Sequence, residues 1–194
     1  MKKDNRGFTL IELVICMVIF SIVVASVFGF MLAGARSYST ITNRLNLELD
    51  SQLAMNQLEN YIMDCNTNLY YSANPTTSTN TLFVINKGST DTKYDVHIFQ
   101  FTGGRINYGF GEDAATLSSG NYTYSTTAVT DQLADSVTAF SVRYFRADGT
   151  EITTGSRAAS VTITVELTRN SVPFRGTKTI ALRNKPTISI VQQS

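Results

Sequence analysis

The sequence predicts an α+β protein in which one long N-terminal helix, apolar all round in its first half, packs on an antiparallel sheet. Three observations carry this prediction. Residues 13–35 are uncharged and almost wholly apolar, apolar residues then recur at three- and four-residue spacing, and the second half of the chain contains segments that alternate with period two.

The apolar run comes first. Only Ser21, Ser26 and two glycines interrupt the aliphatic and aromatic side chains of residues 13–35. As helix these residues measure about 34 Å, enough to cross a bilayer. Lys2, Lys3 and Arg6 precede the run against a single Asp4. Short basic flanks stay in the cytoplasm, so the N-terminus is expected inside and everything after Arg36 outside. A cleaved secretory signal, with Ala33-Gly34-Ala35 as its small-x-small site, is one reading of such a start, but a signal core holds only about 7–15 apolar residues. An uncleaved signal anchor fits the length better. Neither accounts for Glu12, because a carboxylate costs about 2.5–3.5 kcal/mol at the bilayer centre and less towards the interface, and intramembrane acids usually have a partner.

Helical spacing continues beyond the run. Ile41, Leu45, Leu49 and Leu53, then Ala54, Leu58, Tyr61, Ile62 and Cys65, form the expected stripe towards the sheet, with Arg44, Glu48, Asp50, Glu59 and Asp64 on the remaining surface. One helix is therefore expected over residues 8–66, ended by the Pro-containing stretch SANPTTSTN, residues 72–80. Strands are expected at residues 82–85 and 94–101, the latter joined through Gly103-Gly104 to RINYGF in a hairpin. Residues 111–127 read as a polar loop. SVTAFSVRYF, residues 136–145, places Phe140, Val142 and Tyr144 on one face; SVTITVEL places Val161, Ile163, Val165 and Leu167 inward and Thr162, Thr164 and Glu166 outward. KTIALR is expected to pair with that strand after a turn at residues 170–173.

Composition limits the functional classes. The chain has 194 residues and a formal net charge of +1, with Lys and Arg scattered, so nothing signals a nucleic-acid surface. Cys16 and Cys65 would lie about 73 Å apart on one helix, too far for a bridge within the chain. His97 is the only histidine and falls mid-strand, which argues against multi-histidine metal sites and a Ser-His-acid set. FGEDAATLSSGN and ADGTE read as turns rather than calcium loops, and Asn121-Tyr122-Thr123 matches a glycosylation triplet short enough to arise by chance. The aromatics from Tyr70 to Phe110 read as packing residues by default. No metal, cofactor or enzymatic constellation is expected.

Gly7-Phe8-Thr9-Leu10-Ile11-Glu12, behind a basic leader and before a long apolar helix, resembles the processing motif of type IV prepilins and type II secretion pseudopilins. The resemblance implies a leader of residues 1–7, cleavage by a prepilin peptidase between Gly7 and Phe8, and N-methylation of Phe8. It further implies a membrane-spanning and filament-core segment at 8–35, an amphipathic half-helix at 36–66 and a β-rich head at 67–194. Before assembly, membrane lipid surrounds the helix; the later partners are an inner-membrane assembly platform and other minor and major pilins, met through their N-terminal helices. Cleavage creates a positive amine on Phe8, which Glu12 can neutralise either within its own first helical turn or on a neighbouring subunit; the resemblance implies the second, a pair that sets the register of otherwise non-directional apolar packing. LADSVTAFSVRYFRADG and AASVTITVELT are similar in style to W-type minor pilins and the J-type minor pseudopilin. The expected role is a minor type IV pilin that initiates assembly at or near the pilus tip; the alternative is a minor pseudopilin of a type II secretion or competence DNA-uptake system. The expected location is the inner membrane, then a pilus or pseudopilus outside it.

Overall fold

The computed structural model describes residues 9–74, 79–125, 128–153 and 155–193. Its single long helix, α1, runs Leu10–Met63. The chain divides into two compact units, residues 1–42 and 43–194, and the second contains the whole β structure.

Within the second unit the strands form two sheets rather than the one expected. The larger contains β1 (Asn68–Asn74), β2 (Thr79–Lys87), β3 (Lys93–Thr102), β4 (Arg105–Ser118), β5 (Asn121–Tyr124) and, at the far edge, β11 (Val191–Gln193); β6 (Asp131–Ala134) pairs beside β4. The smaller sheet has the order β10 (Val172–Ala181), β9 (Ser160–Arg169), β7 (Val137–Phe145), β8 (Glu151–Ile152). All pairings are antiparallel except β11 with β5, which is parallel.

The period-two segments fold as the alternation requires. Val161, Ile163, Val165 and Leu167 of β9 are fully buried, as are Phe140, Val142 and Tyr144 of β7 almost completely. The expected hairpins form at Gly103-Gly104 and at Asn170-Ser171, and in both turns the two central residues have positive φ, the geometry that matches strand twist. Pro173 lies inside β10 rather than in the turn, which is tolerated because β10 is an edge strand. The run Leu82 to Ile85 is buried without alternation because β2 has a core on each face: Leu82 and Val84 join the helix, while Phe83 and Ile85 join Val96, Ile98, Ala115, Tyr122 and Val191. The larger sheet curls to enclose this second core.

Four expectations are corrected. The helix ends at Met63, not near residue 66, because side-chain amides replace helical bonds at its exit: Asn66 N–H donates to Asn86 Oδ1 and Lys87 N–H to Asn66 Oδ1, each at 3.0 Å. Consequently SANPTTSTN does not end the helix; it joins β1 to β2, with residues 75–78 outside the described set. Residues 111–127 are mainly strand, since β4 continues to Ser118 and β5 returns along it after a turn at Ser119-Gly120; residues 126–127 lie outside the described set. The apolar stripe is also different. Leu47, Ser51, Ala54, Met55, Leu58 and Ile62 face the sheets, whereas Leu45, Leu49 and Leu53 are 53–62% exposed.

Helix and smaller sheet approach closely at one point. A Cβ on Gly176 of β10 would stand 2.6 Å from Ser51 Oγ and 3.4 Å from Met55 Cε. On either side of this contact, Arg169 pairs with Asp50 at 3.2 Å and with Asp135, and Lys178 pairs with Glu59 and donates to Asn56 Oδ1 at 3.0 Å. Gly176→Val is therefore expected to destabilise the head by about 1–3 kcal/mol through overpacking. A thermal melt followed by circular dichroism checks this, and an unchanged midpoint would show that the contact has slack.

Candidate functional site

The chemistry singled out in the sequence lies at the start of α1. Gly7 and Phe8 are outside the described residues. Glu12 is within them, and its partner is Thr9: Thr9 N–H and Thr9 Oγ1 donate to Glu12 Oε2 at 2.9 and 2.8 Å, and Glu12 N–H donates to Thr9 Oγ1 at 3.3 Å. This is a capping box, in which the first residue and the fourth satisfy each other's otherwise orphaned backbone donors. A negative group at this end also complements the helix dipole. The Thr-x-x-Glu spacing at residues 9–12 is the sequence signal for this cap, and it stands apart from any intersubunit partner of Glu12.

Both bonds to the carboxylate fall on Oε2. Among the described residues Oε1 accepts nothing, so the cap uses Oε2 alone. That makes capping compatible with a second, external donor.

The helix behind the cap offers an unbroken apolar surface. Every large hydrophobic residue from Leu10 to Leu32 is exposed, and this segment is long and apolar enough to cross a membrane. Its hydroxyls are satisfied internally: Ser21 Oγ donates to Met17 O at 2.7 Å and Ser26 Oγ to Ile22 O at 2.8 Å. Such back-bonding removes the cost of a free donor in hydrocarbon.

Other candidate groups have structural surroundings. Cys16 and Cys65 are both free; the Cys65 thiol is buried, donates to Asn68 O at 3.2 Å, and is pushed up to about 12 by burial, which keeps it an unreactive thiol. His97 lies on β3 against Tyr61 and Phe110, with Nδ1 2.9 Å from the Tyr108 hydroxyl. Burial lowers its pKa, and nearby Asp95 acts in the opposite direction. Among the described residues no group of three or more His, Cys, Asp or Glu side chains is arranged to hold a metal ion.

Residues 2–28 match the family model described as the prokaryotic N-terminal methylation motif. The match supports a type IV pilin or pseudopilin. It covers the basic N-terminal residues and much of the apolar run, and it implies processing by a prepilin peptidase, assembly with other pilins and the work of a structural subunit. The apolar helix and the motif together fit anchoring in the inner membrane followed by incorporation into a pilus. No curated protein and no solved structure is a significant match to the chain.

The capping box can be tested apart from assembly. Thr9→Ala removes the cap and is expected to cost about 1 kcal/mol locally. Hydrogen exchange at the first-turn amides of the chain in lipid nanodiscs should quicken several-fold, whereas Glu12→Gln, which preserves a capping-box acceptor, should change it less. Equal exchange in Thr9→Ala and the parent would remove the cap from the account.

Proposed function

We propose that the chain is a minor type IV pilin that initiates filament assembly at or near the pilus tip. It is made with a leader of residues 1–7, cut between Gly7 and Phe8 by a prepilin peptidase, and methylated on Phe8. Segment 8–35 holds it in the inner membrane as a single span with its N-terminus inside, and later joins the filament core; 36–66 links the span to the head at 67–194. The observation that carries this reading is the methylation motif on a helix whose apolar surface its own chain leaves uncovered.

The exposed leucines add support. Leu45, Leu49 and Leu53 follow Ala35 by ten to eighteen residues, and a span uses only about 20. Lipid that accommodates 13–35 does not reach them, so other pilin helices are their natural cover. Glu12 fits the same scheme. Cleavage gives Phe8 a positive amine, and Oε1 of Glu12 on an adjacent subunit, which the Thr9 cap does not use, is a suitable acceptor as the helices leave the bilayer. Once buried, an ion of this pair left without its partner costs roughly 3–5 kcal/mol. The minor role rests on the two unbridged cysteines and on strands that resemble W and J types, which the family associates with initiating complexes.

Glu12→Gln separates the two roles of the side chain, since it retains the cap and loses the charge. It is expected to insert and be cleaved normally but to enter filaments several-fold less well, as measured by the ratio of filament to membrane protein. Incorporation at parental levels would make the charge dispensable. Immunogold labelling tests the tip assignment: sparse terminal label, with few or no filaments in a deletion strain, is expected. Label along whole filaments at major-pilin abundance would refute it, and loss of protein export with filaments intact would favour the pseudopilin reading.

A further inference from the structure

The head carries a groove of about 630 Å³ between α1 and β6. Gln57, Asn60, Tyr61 and Asp64 form its helical wall, because three- and four-residue spacing puts them on one face. Asp64 N–H still donates to Asn60 O at 3.3 Å, so the helical turn extends to this last residue. Tyr108 of β4 and Asp131, Gln132 and Leu133 of β6 complete the groove. The space exists because β6 is short, pairs with β4 through a register shift between Ile106 and Asn107, and lies off the main run of the larger sheet.

The apolar part of the groove is preformed. The rings of Tyr61 and Tyr108 stack with centroids 5.1 Å apart at 24°. Tyr61 also packs on His97 and Phe99 at 4.6 and 5.7 Å, and the Tyr108 hydroxyl is held by His97 Nδ1 at 2.9 Å. Around this pair stand three amides and two carboxylates, all on exposed residues. Among the described residues, only Asp131 of these five side chains has a hydrogen-bond partner, Thr130 Oγ1 at 3.4 Å. The lining contains no Lys or Arg.

We propose that this groove binds a neutral pyranose ring. An anionic ligand would meet two carboxylates and no cation. A wholly apolar ligand would strip water from five polar side chains without replacing their hydrogen bonds. A simple organic cation would use the carboxylates but leave the amide N–H groups of Gln57, Asn60 and Gln132 without acceptors. A pyranose matches all three parts: its C–H face lies on the tyrosine pair, and its rim of hydroxyls, each donor and acceptor, meets amides that do both and carboxylates that accept. The groove volume falls in the range of about 300–1,000 Å³ typical of small-molecule sites. This inference concerns the head alone and stands whether or not the chain initiates filaments.

The test uses the full chain in lipid nanodiscs prepared free of glycoside detergent. Saturation-transfer NMR and calorimetric titration with maltotriose, cellotriose and chitotriose report binding of free sugar, and retention on insoluble cellulose or chitin reports binding of a surface polysaccharide. Binding is expected in at least one arm, and the arm that responds identifies the source. Asp131→Leu and Gln132→Ala lie on exposed positions of β6 and are each expected to weaken binding about tenfold, the effect of losing one hydrogen bond involving a charged or well-placed polar group. Tyr61→Leu should abolish transfer to the sugar C–H protons. Absence of binding to every saccharide at millimolar concentration overturns the proposal, as does binding that both β6 variants leave unchanged, or a preference for choline over all the neutral sugars.

Discussion

The constraint on which the molecule depends is that its own chain does not cover the first half of α1. Seventeen large apolar side chains from Leu10 to Leu32 are exposed. At about 1.5–3 kcal/mol for each such side chain buried, they represent roughly 25–50 kcal/mol of transfer free energy, several times the usual 5–15 kcal/mol stability of a domain. No rearrangement of the head offsets a term of that size. The helix must be in lipid or against other apolar helices, and passage between the two leaves the apolar term nearly unchanged. In the proposed assembly, directional groups such as Glu12 are then left to decide register.

Continuity of α1 brings a second requirement, since the same helix must also serve as a core element of the head. Its far half meets it with Leu47, Ala54, Leu58 and Ile62, fully or almost fully buried against both sheets. Gly176 permits a close approach, and the pairs Arg169–Asp50 and Lys178–Glu59 flank it. Partly exposed ion pairs of this kind add little stability, so their value lies in fixing the helix on the sheet.

The legible parts of the sequence were those with one dominant cause. β9 and β7 were evident because each has one buried face, and the Gly103-Gly104 hairpin because few residues other than glycine accept two successive positive φ values. β1 was missed because its Tyr-rich, amide-rich sequence has no clear period-two alternation, and the Pro-containing stretch between it and β2 reads as a helix terminator. The strand character of residues 111–118 was hidden because much of that stretch of β4 is exposed. The stripe was misassigned because two apolar rows run along the helix at similar spacing, and periodicity alone does not say which row the head covers. At the site, Glu12 was legible as an anomaly, while the Thr9 cap required asking where the first backbone donors go.

The central claim is that apolar helix surface beyond the reach of lipid is covered by other pilin helices. The most direct measurement places a photo-crosslinking amino acid at Leu49, exposed on α1, and for comparison at Leu58, fully buried against the head. Irradiation of cells during filament assembly, followed by mass spectrometry, identifies what each position touches. The account predicts adducts from position 49 to the N-terminal helix of another pilin and only intramolecular products from position 58. No intermolecular adduct from position 49 in assembling cells would contradict it.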